Sequence, residues 1–123
     1  MQRKAPLWLN TARRHMGSAE LEQLDERHRC FHGQRAVELS VKAVLIHHGI
    51  AFPFTHEVDA LIELVPGGVP EHVANADILT PYAVEEMYPD TFTDLTEEHA
   101  TEAVELARAV VTWATSIIEP GVQ

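Results

Sequence analysis

Gln34, Glu38 and Lys42 stand four residues apart within CFHGQRAVELSVKAVL, residues 30–45. Side chains four apart are neighbours on a helix, so an amide, an acid and a base would line one side of it. Val37, Val41, Val44 and Leu45 recur at helical spacing in the same stretch, the mark of a helix with a buried face. On a wheel turning about 100° per residue with Gln34 at 0°, Glu38 falls at about 40°, Lys42 at about 80° and Arg35 at about 100°. Gln34 is therefore expected near the centre of the apolar face and Glu38 inside its edge, with Lys42 and Arg35 toward the rim. A buried amide or carboxylate is costly unless paired. Two arrangements meet that demand. The polar stripe can bond to neighbouring helices and fix their register, or it can line a cleft and meet a ligand. Glu38 preceding Lys42 is also the favourable order for an ion pair within one helix.

Other chemistry is thinner. Among eight histidines, His28 and His32 are four apart and form a usable ligand pair. No HExxH and no Cys/His quartet accompanies them, so no metal and no cofactor are assigned. His47 and His48 point different ways on a helix. Cys30 falls on the apolar side of its helix and reads as a core thiol. No P-loop or GxGxxG is present, and PGGVP at 66–70 lacks a phosphate-cradling lysine.

Five helices must position these residues, and no segment reads as a strand. The first is expected at 6–22, with Pro6 suited to a first turn. The second is expected at 27–48, ended by Gly49. Pro53 keeps the next stretch irregular. A short helix at 56–65, capped by Thr55, carries Val58, Leu61, Ile62 and Val65. A fourth starts near Pro70, with a kink or break near Thr80 caused by Pro81. The fifth, at 97–118, is capped by Thr96, with Glu97 and Glu98 at the positive end of its dipole. Long helices joined by short connections predict an all-α, antiparallel up-and-down four-helix bundle with an extra short helix. The small residues of helix five would allow a neighbour to approach closely.

The chain has 123 residues, a length that favours one domain spanning 1–123. Its net charge of −10 is unevenly spread. Residues 1–42 carry eight Lys and Arg against five Asp and Glu, leaving +3; residues 43–123 carry one Arg against fourteen acids, leaving −13. That balance argues against broad DNA binding, which demands a basic surface. One cysteine permits no internal disulfide. No apolar run is long enough to span a membrane, and no signal-peptide pattern follows the first residues. A cytoplasmic location is expected.

Several pieces then line up in one order. WLNTARRHMGSA resembles a first helix of the form W-x3-A-x6-A. Residues 30–45 resemble C-x3-Q-x-A-x-E-x3-K-A-x-L, FTHEVDAL resembles T-H-D-L-x-x-L, and YAVEEMYPD resembles a segment ending R-Y-P-D. TEEHATEAVELARAVVTW resembles a long last helix opening on T-E-E. From Trp8 to Trp113 the chain resembles the HEPN domain family. The resemblance implies a helical bundle that forms homodimers. It implies a small protein paired with a minimal nucleotidyltransferase in a toxin–antitoxin or nucleotide-binding module. It places a nucleotide-binding surface on Gln34, Glu38, Lys42, His56, Tyr82 and Tyr88, to which the wheel adds Arg35.

The chain departs from the family in three places. Its ribonucleases carry Arg-x4-6-His; that motif is read as absent from this chain, and a non-catalytic role is expected. Met87 replaces the arginine common before Tyr-Pro, which removes a planar cationic fork suited to phosphate. His15 stands where an acid is common in the first helix. Two other roles stay open. One is a ribonuclease toxin with a diverged site using His28, His32 or His47 as acid or base. The other is a ligand-free dimeric interaction module.

Overall fold

The computed structural model describes residues 4–87 and 95–121, with backbone alone at 84–87. Five α-helices and one 3₁₀ segment follow in order: α1 (Lys4–Ala19), α2 (Glu26–His47), α3 (Val58–Ile62), α4 (Glu71–Ala74), the 3₁₀ segment (Asn75–Met87) and α5 (Glu97–Ile118). No strand occurs among the described residues. The architecture is the all-α bundle that the helical periodicity demands. Its fourth member is the composite of α4 and the 3₁₀ segment, and α3 is the extra short helix.

α2 is the central element, packed against α1, α5, the 3₁₀ segment and α3. Every residue from Gly33 to Leu45 except Arg35 is buried. A one-sided wheel therefore underestimates this helix, which has almost no solvent face. Lys42, expected toward the rim, is buried at 7% exposure. Gly33 explains part of the close packing. A Cβ built there would lie 3.2 Å from the Ala103 carbonyl oxygen and 3.3 Å from the Ala103 Cβ. The small residues expected to admit a neighbour are on both sides of this α2–α5 contact.

The helix ends follow local chemistry. The Asp25 carboxylate accepts the His28 N–H and opens α2. Gly49, at φ 72°, closes it. The Gly49 N–H donates to Ile46 and the Ile50 N–H to Leu45, a Schellman arrangement that only a left-handed residue allows cheaply. Thr96 caps α5, and the His99 ring returns a bond to the Thr96 N–H in the place usually taken by Glu or Gln.

Three boundaries differ from those expected. α1 ends at Ala19, where the Arg29 side chain donates to the terminal carbonyl. α3 covers Val58–Ile62; Thr55 accepts the Glu57 N–H, while the Val58 N–H is taken by Thr80 from the 3₁₀ segment. The cap of α3 is thus tertiary. In the fourth segment α-helix stops at Ala74, and Pro81 sits inside a 3₁₀ segment. Winding changes before the proline, so no break falls at Thr80.

Two side-chain ties join the first and last helices. Arg13 grips Glu119 at 2.8 Å and the Thr115 hydroxyl at 3.1 Å, and Arg108 reaches Glu20 at 2.8 Å. No helix among the described residues is long and apolar enough to cross a membrane.

Candidate functional site

Glu38 is the hub of the polar stripe. It is fully buried, and one turn of α2 on either side supplies its partners. Gln34 Nε2 donates to Oε1 at 3.0 Å, and Lys42 Nζ donates to Oε2 at 2.7 Å. The Arg35 guanidinium lies 3.0 Å from Oε2. The loop before α3 adds His56, whose Nδ1 is 3.0 Å from Oε1. A carboxylate only accepts, so His56 Nδ1 carries the proton there.

Burial by itself raises a carboxyl's pKa; hydrogen bonds from Gln34 and Lys42, the Arg35 charge and the His56 bond outweigh it, and Glu38 lies below its ordinary value. An ionised, saturated carboxylate has no capacity left to serve as a base. Lys42 is enclosed too. Its ammonium lies 5.6 Å from the Phe52 ring and 6.0 Å from the Phe54 ring, distances suited to cation–π attraction. Phe52 in turn meets Trp8 edge-on at 6.1 Å. Phe54 itself is fully exposed.

The structure thus brings together five of the seven residues singled out from the sequence. Gln34, Glu38 and Lys42 form the buried interior of the cluster, and Arg35 and the half-exposed His56 form its outer edge. Tyr82 is buried in the hydrophobic core, and Tyr88 lies outside the described residues. Gln34 Oε1 has no hydrogen-bond partner among the described residues. Its amide donates instead to Glu38 and, at 3.4 Å, to the His56 carbonyl. The three cationic or amide partners on α2 are fixed by helical spacing, Gln34 and Lys42 four residues from Glu38 and Arg35 three; His56 required the loop.

A second pair escaped the sequence reading. His15 Nδ1 of α1 lies 2.9 Å from His32 Nδ1 of α2, with the rings stacked at 5.1 Å. Burial, followed by the charges of His32 and Arg35, lowers the His15 pKa to about 4, against a smaller opposing pull from Glu38. His28, paired with His32 on spacing alone, has its Nδ1 2.8 Å from Asp25 Oδ1. Nothing in one helix's spacing could reveal a contact between two helices. Among the described residues no group of three His, Cys, Asp or Glu could hold a metal.

One expectation fails on counting alone. Four residues separate Arg27 from His32, so the Arg-x4-6-His spacing does occur. Both residues lie in the continuous helix α2, where five positions turn through about 500° and leave side chains about 140° apart. The spacing is present, but the helix directs its two members to different sides.

The HEPN domain model matches residues 5–118. The crystal structure of TT1696 from Thermus thermophilus is similar, with 27% identity and a TM-score of 0.81, over 92% of this chain and 97% of that one. The crystal structure of ST0689, an archaeal HEPN homologue, shares the fold at 22% identity and a TM-score of 0.77, over 94% and 98% of the two chains. No protein of curated function matches the chain. With the family pattern spanning α1 to the end of α5, this chain belongs to the HEPN domain family.

Proposed function

We propose that this HEPN protein is a non-catalytic, dimeric partner of a minimal nucleotidyltransferase in a toxin–antitoxin or related cytoplasmic module, with residues 1–123 acting as one domain. Its role is to present a nucleotide's phosphate to the partner. The observation that carries this reading is the Glu38 hub. One buried carboxylate holds Arg35, Lys42 and His56, so two fixed cations surround a single anion and positive charge is left over. Arg35 and His56 are the accessible members, and Phe54 offers an exposed ring beside them for a base. Gln34, Glu38 and Lys42 then act as positioning residues behind that edge. Co-expression with minimal nucleotidyltransferases, followed by pull-down and thermal shift with nucleotides, tests the proposal. A complex stabilised by nucleotide supports it. Neither a complex nor any nucleotide-dependent shift overturns it and leaves the ligand-free interaction module.

A ribonuclease is the second reading, favoured by the contact between His32 and His15. Cleavage of total RNA by the purified protein, abolished by His32→Ala, would establish it in place of the first. Intact RNA at high protein concentration removes it.

A further inference from the structure

Acids are absent from one seam of this acidic chain. Residues 1–19 and 39–56 contain no Asp or Glu, although the sequence holds 19. Those stretches supply α1, the last turns of α2 and the loop that follows. Trp8 meets Phe52 and His15 meets His32, so α1 and α2 run antiparallel. Two hollows follow one another along their seam. Leu7, Trp8, Thr11 and Leu39 line the first, of about 320 Å³. The second, of about 300 Å³, includes Lys4, Ile46 and Ile50 in its lining. No acid lines either hollow. The outer ridge of α1 reads Lys4, Leu7, Thr11 and Arg14, spaced by three and four as on one helix face and about 15 Å long. Leu7 is 65% exposed, and Lys4 and Arg14 at the two ends are exposed as well.

We propose that the α1–α2 seam is a docking groove for an amphipathic helix of a partner protein, one that carries acids beside its apolar stripe. The inference rests on the partner-binding role above and adds the face and the chemistry that hold the partner. A hollow between two helices receives a third helix by ridge-into-groove packing. With no strand among the described residues, there is no sheet edge for a partner to extend. The apolar lining fits a stripe of leucine-like side chains, and Lys4 and Arg14 meet acids on its rim. A second copy meeting this ridge through its own would set those cations against a surface without acids. A nucleic-acid strand would find mainly aliphatic side chains where it needs a basic track and stacking rings. Leu39 stands one turn beyond Arg35 on α2, so a docked partner borders the phosphate edge of the Glu38 site.

The probes are two labelled synthetic helices with leucines along one face, one carrying glutamates beside them and the other lysines. Fluorescence anisotropy reads their binding to the protein. The glutamate helix should bind, more weakly as salt is added, and the lysine helix should not. Leu7→Glu, at an exposed position, should weaken the glutamate helix by about tenfold or more, since it removes an apolar contact and adds a repulsive charge. Lys4→Glu combined with Arg14→Glu should transfer the preference to the lysine helix. Glu102→Lys, on the exposed side of α5, should change neither. Equal binding of the two helices, binding of neither, or a preference that survives the charge reversal overturns the inference. Sedimentation in which Leu7→Glu turns a dimer into a monomer also overturns it, and assigns the seam to a second copy. A nucleotidyltransferase captured equally well by the Leu7→Glu protein overturns it while leaving the partner role standing. Capture of no nucleotidyltransferase, with the charge preference as expected, keeps the groove and removes that role.

Discussion

At the residue scale Glu38 is a committed charge. Removing it leaves Lys42 buried without its counter-ion, and breaking a buried pair from one side costs about 3–5 kcal/mol. Glu38→Gln should lower the unfolding free energy by about that much, read by urea denaturation. Adding Lys42→Met to it should recover most of the loss, since a matched apolar replacement is tolerated. Glu38 also fixes a pH dependence. Its folded pKa lies below the ordinary value, so the unfolded chain protonates first. Its contribution is complete above about pH 4.3, the unfolded carboxyl value, and is lost as pH falls through the lower folded value. Thermal midpoints of Glu38→Gln should lose less on acidification than those of the wild type. An equal acid loss in both proteins would place the linkage elsewhere.

Individual elements are constrained differently. α2 and α5 meet where Gly33 faces Ala103 at a distance that leaves a Cβ too little room. Gly33→Val should destabilise by about 1–3 kcal/mol, the usual cost of overpacking. Gly33→Ala sets about 1 kcal/mol of gained helix propensity against a smaller strain, and should come out near neutral by denaturant unfolding. A fully tolerated valine would show that the two helices can part, contrary to the packing described. The helix ends show which local signals suffice. Thr96 and Gly49 act within a few residues of sequence and were legible there. The cap on Val58 comes from Thr80, 22 residues away, and local pattern cannot supply it.

For the molecule as a whole, the first and last helices are clamped at the C-terminus of α5. Arg13 reaches Glu119, Thr115 and Asn10, and its hydrogen bond holds the Glu119 carboxyl below its ordinary pKa. The site is partly exposed, so Arg13→Ala should cost no more than about 1 kcal/mol. Hydrogen exchange is the sharper measurement, with faster exchange expected in the last turn of α5 and an unchanged centre of α2. Uniform acceleration throughout the bundle would show that the clamp supports global stability instead. At this scale the acidic balance of residues 43–123 and the family assignment both concern partner choice, which the nucleotidyltransferase pull-down addresses directly.

The sequence by itself determined the helical class, the extent of α5, the end of α2 and the Gln34–Glu38–Lys42 ladder. All four depend on interactions between residues a turn or so apart, and periodicity records those. Tertiary structure decided the rest. It showed that α2 is buried on nearly every side, which turned Lys42 from a rim residue into an enclosed one. It joined His56 to Glu38 and His15 to His32, pairs separated by 18 and 17 residues. A hydrophobic period reports which face of one helix avoids water. Which side chains then meet depends on how several helices pack, and no single helix encodes that.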